Sequence, residues 1–137
     1  MADEELQAPL IQTLRFPAAA VAQASDLTSP AGLVPISGSV SAVRYIPTSV
    51  LTGADTNSRT CSLYNRGAAG AGSTLVAQKA FVSGTDAPAN DATDITLSGT
   101  AANLLVAAGD VLDWESLHIA SGLADPGGIV EIDITRG

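Results

Sequence analysis

Two runs near the C-terminal end of the chain alternate apolar and polar residues with a period of two. In the last run, positions 130, 132 and 134 are apolar and positions 131, 133 and 135 are polar. A helix would scatter these side chains around its circumference, whereas a strand sorts them onto two faces. The turn-rich stretch 122–128 separates this run from the preceding one, 109–118. The pattern predicts an antiparallel sheet with one face in the core and one in water, where Glu131 and Asp133 are solvated.

The rest of the chain consists of short apolar runs that alternate with connectors rich in Gly, Pro, Asp and Asn. Short strands at such spacing are typical of a sandwich or barrel, not of βαβ units. We therefore predict an all-β fold, an antiparallel β-sandwich of jelly-roll type. The predicted domain spans 40–137, with strands at 40–46, 59–65 and 74–82, a short strand beginning at 95–97, and a strand or helical turn at 103–107.

Residues 1–39 differ from the remainder because they hold four of the seven prolines. A leucine repeat every four residues resembles a helix face, but Pro9 interrupts it and restricts any helix to a short one. Two interpretations stay open: a leader followed by a first edge strand, or an extended N-terminal arm that packs on a neighbouring subunit. The apolar residues predicted to make that contact are Leu6, Leu10, Ile11, Leu14 and Phe16.

The charge balance disfavours two classes of partner. The net charge is −8, and no two of the six basic residues are adjacent. Binding to nucleic acid or to an anionic membrane needs a positive field along one surface, so neither is expected. The chain has no run of about 20 apolar residues, and its start is acidic, unlike a signal peptide. A soluble protein made in the cytoplasm is expected, and its single cysteine, Cys61, suits a reducing compartment.

The apolar content is unusual, because 24 residues are alanine and only five are Phe, Tyr or Trp. Alanine buries little area, so the core of one subunit is lean, and partner subunits often supply the missing stability. Trp114 is the sole tryptophan. It fits either the core or a subunit contact, where tryptophan is a typical anchor.

The side chains that could carry out catalysis do not form a recognisable set. His118 is the only histidine, and alternation places it on the same strand face as Ser116. Nucleophilic catalysis needs a base hydrogen-bonded to the nucleophile and a third group that orients the base, and this pair has no such context. We interpret His118 as a surface or interface residue and Cys61 as a small core residue. The sequence therefore predicts a protein that is not an enzyme.

No cofactor or metal is expected either. Asp86, Asp91 and Asp94 lie in one polar loop but lack the spacing of a calcium loop, so we interpret them as turn residues. The glycine-rich stretch 67–72 lacks the ending of a phosphate-binding loop and predicts a hairpin connection. In the segment 125–128, Pro126 presets the second position of a turn and Gly127 tolerates the positive φ of the third.

Four phrases of the sequence are similar to small virion proteins of tailed bacteriophages, of the head-decoration (minor capsid) type found in phages of actinobacteria. The likeness covers roughly residues 41–135. The phrases are Ala42-Val-Arg-Tyr-Ile-Pro47, the segment from Thr52 to Gly67, Ala107-Ala-Gly-Asp-Val-Leu112 and Gly122-Leu-Ala-Asp-Pro-Gly-Gly-Ile-Val130.

The resemblance implies a β-sandwich, often trimeric, that binds the outer surface of a capsid at threefold positions and stabilises it. Its expected partners are the major capsid protein and two further copies of the chain, and its expected location is the exterior of the virion. The alternative is a tail-fibre or collar module that binds a receptor or carbohydrate through the loop 83–94. Deletion of residues 1–20 is expected to abolish capsid attachment and leave the β domain folded.

Overall fold

The structure is a computed structural model that describes residues 10–136. In this part of the chain nearly all regular structure is extended, and a 3₁₀ helix, Ala101–Leu104, interrupts it. The strands are β1 (Ile11–Ala18), β2 (Leu27–Leu33), β3 (Gly38–Pro47), β4 (Arg59–Gly67), β5 (Thr74–Phe81), β6 (Thr93–Asp94), β7 (Leu105–Val106), β8 (Val111–His118) and β9 (Gly128–Arg136).

The strands form two antiparallel sheets that pack face to face. The front sheet has the order β1-β9-β3-β6, and β7 also pairs with β3; the back sheet has the order β2-β8-β4-β5. The predicted all-β antiparallel sandwich is confirmed. The chain passes repeatedly from one sheet to the other, as a jelly-roll arrangement requires. That finer assignment stays a prediction.

The core lies between the sheets and follows from the alternation. Val130, Ile132 and Ile134 of β9 are fully buried, as the period-two pattern predicts. On β8 the Trp114 ring is also fully buried, 6.4 Å from the ring of Phe16 and 5.8 Å from that of Tyr45. Of the two interpretations of Trp114, its position is that of a core residue.

The first 39 residues supply one strand to each sheet. β1 pairs along its length with β9, and β2 pairs with β8. Phe16 and Ala18 of β1 are buried in the core. The sequence-based division at residue 39 falls inside β3, which begins at Gly38, and Leu6 lies outside the described residues.

The open side of the sandwich is closed by the segment 95–98, where the sequence predicted the beginning of a strand. The structure instead places the short strand β6 just before it. The Ile95 N–H donates to Val43 of the front sheet, whereas Thr96 and Ser98 bond to Gln78 and Val76 of the back sheet. A segment that bonds to both sheets cannot continue as a regular strand of either one. At 103–107, both alternatives occur in succession, the 3₁₀ helix and then β7.

Two connections have the turn chemistry that the sequence predicts. Residues 67–72 join the paired strands β4 and β5. Gly127 has a φ of +78°, a conformation that glycine adopts without steric cost. A Cβ at Gly128 would lie 2.0 Å from the carbonyl oxygen of Ile46, so the two strands could not approach each other this closely with a larger residue.

The two faces of β9 provide a direct test of the sandwich. Replacement of Ile132 by Ala should lower the free energy of unfolding by about 2–5 kcal/mol, because it leaves a cavity between the sheets. Ile129→Ala, on the outer face of the same strand, should cost less than about 1 kcal/mol. Urea denaturation followed by Trp114 fluorescence measures both values. Equal losses would contradict the assigned orientation of β9.

Candidate functional site

A buried group of interacting polar side chains is centred on Arg59. This arginine is the first residue of β4 and is fully buried. Its Nε atom lies 2.6 Å from the carbonyl oxygen of Leu123, and its Nη1 atom lies 3.1 Å from both the carbonyl and the hydroxyl oxygen of Ser116. Its Nη2 atom faces three further carbonyl oxygens, at 2.9–3.2 Å, those of Ala22, Gln23 and Ser25.

Asp125 forms the second half of this group. It is buried and accepts hydrogen bonds from the Ser116 hydroxyl at 2.7 Å, from the Gly127 N–H at 3.0 Å and from the Tyr45 hydroxyl. Burial and the neighbouring Asp125 carboxylate raise the pKa of Tyr45, so its hydroxyl keeps its proton and remains a donor. Ser116 therefore links a buried cation to a buried carboxylate.

This group holds connecting segments in place. The carbonyl oxygens to which Arg59 donates belong to the β1–β2 connection and to the segment that leads into β9. Both segments would otherwise expose unpaired backbone groups to the interior, which costs free energy. The five donors of a planar guanidinium suit this arrangement, whereas lysine offers only three.

Sequence analysis assigned no role to Arg59, which it counted only among the six non-adjacent basic residues. Alternation along β4 places Arg59 on the same face as Cys61 and Leu63, which are both buried. The alternation that places this arginine on the core face could therefore have been recognised from the sequence. Asp125 carried no such signal, because an aspartate before Pro-Gly is explained by the turn alone.

Cys61 lies next to this group. Its Sγ atom is 3.7 Å from the Ser116 hydroxyl, and its side chain is fully buried. Burial raises the pKa of the thiol to about 12. At neutral pH the protonated thiol is a poor nucleophile.

The structure separates Ser116 from His118. Ser116 points inward to Arg59 and Asp125, whereas the His118 Nδ1 atom lies at the surface, 2.6 Å from the Asp26 carboxylate. The His118 N–H also donates to that carboxylate at 2.9 Å. These hydrogen bonds lower the pKa of Asp26. His118 therefore fastens the start of β2 to the end of β8, and the two residues belong to separate hydrogen-bonded groups.

The three loop aspartates lie in separate surroundings. Asp86 accepts the Gly53 N–H at 2.8 Å, Asp91 accepts the Ala92 N–H at 2.9 Å, and Asp94 lies on β6. Within residues 10–136, no three side chains of His, Cys, Asp or Glu are grouped so that they could hold a metal ion. The same residues include no helix with the length and apolar character to cross a membrane.

The outer faces of the sheets carry ion pairs where the sequence predicted solvated carboxylates. On the front sheet, Glu131 pairs with Arg15 and Arg44, and Arg44 also holds Asp133 through two contacts of 3.0 Å. These arginines lower the pKa values of both carboxyl groups. The expectation that Glu131 and Asp133 are simply solvated was wrong. Neighbouring strands place arginines beside both carboxylates, and these arginines are distant from them in the sequence.

The residues predicted to contact a partner lie in different environments. Leu10 and Ile11 are exposed, by 38% and 58%, and Leu14 is partly buried against the core. Phe16 and Trp114 are buried and pack against each other, so neither offers surface to a partner in this conformation. The contact role of the exposed members stays a prediction.

A shallow cavity of about 220 Å³ lies beside β3. The strand has a bulge between Val40 and Ala42, and the cavity lies between this part of β3 and the segment 94–97. Its lining residues are Ser41, Ala42, Val43, Asp94, Ile95, Thr96 and Leu97. This lining includes no aromatic ring, the usual platform for stacking a sugar.

Comparisons with known proteins give little further information. No family model matches the chain, and no curated protein sequence is significantly similar to it. Among solved structures, the Gx strain of infectious bursal disease virus contains a chain with 12% sequence identity and a TM-score of 0.44. That match covers 95% of this chain and 32% of the viral chain. Similarity at this level does not establish a shared fold.

Removal of the Arg59 guanidinium tests whether the two connecting segments depend on it. Arg59→Met should lower the free energy of unfolding by about 3 kcal/mol or more, because several buried carbonyl oxygens lose their donor. Arg59→Lys should give an intermediate loss, since it keeps the charge but not the number of donors. Arg15→Met, at an exposed ion pair, should cost less than about 1 kcal/mol. Similar losses for Arg59→Met and Arg15→Met would refute the assigned role.

The lowered pKa values of Glu131 and Asp133 predict a pH dependence with a defined sign. Each ion pair contributes stability above the ordinary pKa of the carboxyl group, and the contribution is lost as the pH falls through the lower pKa of the folded state. We expect the wild type to lose stability more steeply below about pH 4.5 than Arg44→Met. Urea midpoints between pH 7 and pH 3 measure this difference. Lys79→Met, on the back sheet, should follow the wild-type curve.

Proposed function

We propose that the chain is a structural protein of a tailed-phage virion that binds the outer surface of the capsid and stabilises it. The observation that carries this proposal is the resemblance of four sequence phrases to phage head-decoration proteins. Those phrases cover most of β3, the connection into β4 with that strand, the start of β8 and the turn into β9. They therefore include much of one central strand in the front sheet and all of one in the back sheet.

The physical properties of the sandwich suit such a role. A decoration protein needs a stiff scaffold, and here the Arg59 group fixes two connections that would otherwise be free to move. Its surface must also tolerate close contact with other protein. Arginines already neutralise the carboxylates on the front sheet and Asp113 and Glu115 on the back sheet, so covering them costs less desolvation.

Assembly at threefold positions is part of the proposal. The resemblance implies three copies, and linked copies raise one another's effective concentration at the shell, so each contact can be weak. The sparse aromatic content of the core is consistent with stability shared among subunits. The number of copies stays a prediction, tested by the mass in solution.

The proposed contact with the shell is narrower than the sequence indicated. Of the five apolar residues predicted in the N-terminal segment, Leu10 and Ile11 are exposed at the start of β1. The Leu10 carbonyl oxygen accepts the Arg136 N–H, so these residues lie at the end of the sandwich where β9 finishes. Deletion of residues 1–20 would remove the whole of β1 with its buried Phe16, so it would test folding as well as attachment.

The alternative function is a tail-fibre or collar module that binds a receptor or carbohydrate. It would require a recognition pocket on the loops, and the loop 83–94 was the candidate. In the structure the aspartates of this loop bind backbone N–H groups or lie apart from one another. No observation on this loop favours the alternative.

Cosedimentation tests the proposal. Heads assembled from the major capsid protein encoded in the same genome should bind the chain saturably, and binding should raise the temperature at which the heads lose integrity. Leu10→Glu should weaken attachment by at least about tenfold, because it buries a charge at the contact. Val50→Glu is the matched control. Val50 is 57% exposed and follows the last residue of β3, Pro47, whereas Leu10 lies at the other end of the sheet, where β3 begins.

Two outcomes would contradict the proposal. If the chain does not bind the heads but does bind glycans on a microarray, the alternative function is correct. If Leu10→Glu and Val50→Glu weaken attachment equally, the start of β1 is not the contact. Circular dichroism of each variant verifies that the sandwich remains folded.

A further inference from the structure

The outer face of the front sheet has a regular arrangement of side chains. Residues directly opposite each other on paired strands share a face and lie about 5 Å apart. One row across the sheet consists of Ile11, Thr135, Ser39 and Leu105, on β1, β9, β3 and β7. A second row, further along the strands, consists of Arg15, Glu131, Arg44 and Asp94, on β1, β9, β3 and β6.

This face is apolar at both ends. In the first row, Ile11 is 58% exposed and Leu105 is 62% exposed. Beyond the charged row, a third row contains Pro17, Ile129 and Ile46. Exposed aliphatic side chains on both sides of the charge row give this face apolar area of the kind that marks interaction sites.

The charged row alternates in sign along its whole length, from Arg15 to Asp94. If the row is read in the opposite direction, each position carries the opposite charge. The row is therefore complementary to a second copy that is turned around. A twofold axis parallel to the strands and midway between β9 and β3 would place Arg15 opposite Asp94 of a second copy. The same axis would place Glu131 opposite Arg44, so every charge in the row would meet its opposite.

The same axis matches the apolar row. Ile11 of one copy would face Leu105 of the other, while Thr135 would face Ser39. In the third row Ile129 would face Ile46. One symmetry operation therefore pairs apolar with apolar, hydroxyl with hydroxyl and cation with anion, which is the self-complementarity that a twofold contact requires.

We propose that this face binds a second copy of the chain, with the two front sheets packed against each other about the twofold axis. Sheets that pack face to face lie about 10 Å apart, with strand directions within about 30° of each other. Three strands of about eight residues, together with the short strands β6 and β7, cover roughly 450 Å² per copy. A standard stable interface buries about 800 Å² per partner, so this contact is weak and depends on concentration.

The ion pairs within each chain lower the free-energy cost of desolvating this face when it is buried. Asp133, which has no opposite charge across the axis, is held by Arg44 and by the Thr13 hydroxyl. Because the interface is small and the Arg15–Asp94 pairs lie at its edge, salt screens these pairs. Association should therefore weaken as sodium chloride is raised.

This inference does not rest on the proposed function, and a copy that buries Ile11 in the twofold contact has only Leu10 of the two exposed residues left for the shell. A twofold contact doubles whatever unit exists in solution, either the single chain of 13.7 kDa or a threefold assembly of it. A substitution on this face should halve the mass of the doubled unit. A failure of capsid binding would leave this expectation unchanged.

The test uses two variants and their mixture. Ile11→Glu and Leu105→Lys should each reduce self-association by at least about tenfold, because each homodimer then buries two charges against apolar side chains. When the two variants are mixed, one contact becomes a Glu–Lys pair and the other remains Ile–Leu. The mixture should therefore recover association that neither variant shows alone. Light scattering over a concentration series, with one variant tagged, measures this.

Leu33→Glu is the matched control. Leu33 is 62% exposed, as is Leu105, but it lies on β2 of the back sheet. It should associate as the wild type does. The inference is overturned if the wild type shows no doubling at high concentration, if Leu33→Glu weakens association as much as Leu105→Lys, or if the mixture does not recover association.

Discussion

The burial of the Arg59 guanidinium is the constraint on which the rest of the structure depends. A cation cannot remain inside a protein unless hydrogen bonds replace its hydration. Here backbone carbonyl oxygens from two connecting segments supply those bonds, and Ser116 links the cation to Asp125. The arginine and the segments stabilise each other. These hydrogen bonds hold the connections that lead into β2 and β9, one strand of each sheet.

Charged side chains at the surface are also paired across neighbouring strands, and there the pairing neutralises a sheet face. On the front sheet, arginines lie beside the carboxylates of neighbouring strands, so a chain with a net charge of −8 has a nearly neutral face. Neutral, flat and partly apolar faces can approach other protein without strong repulsion. This property connects the proposed virion role with the proposed contact between copies, although each is tested separately.

The candidate residues show how far sequence reasoning extends. Ile11 was named as a contact residue, and it is exposed on an outer face. Phe16 and Trp114 were named for the same role, but their rings meet in the core. An apolar side chain suits either environment, and its place depends on which strand lies opposite. Arg59 could have been found from its register with Cys61 and Leu63, because that signal is local.

Alternation and turn chemistry by themselves determined the fold class, most strand positions and the inward face of β9, because a period of two and a Pro-Gly turn are properties of a few neighbouring residues. Only the tertiary structure decided which strands are neighbours. The pairs Arg44–Glu131, Arg59–Ser116 and Ser116–Asp125 depend on that choice. Strand order is a global outcome of burial and hydrogen bonding, so no local pattern specifies it.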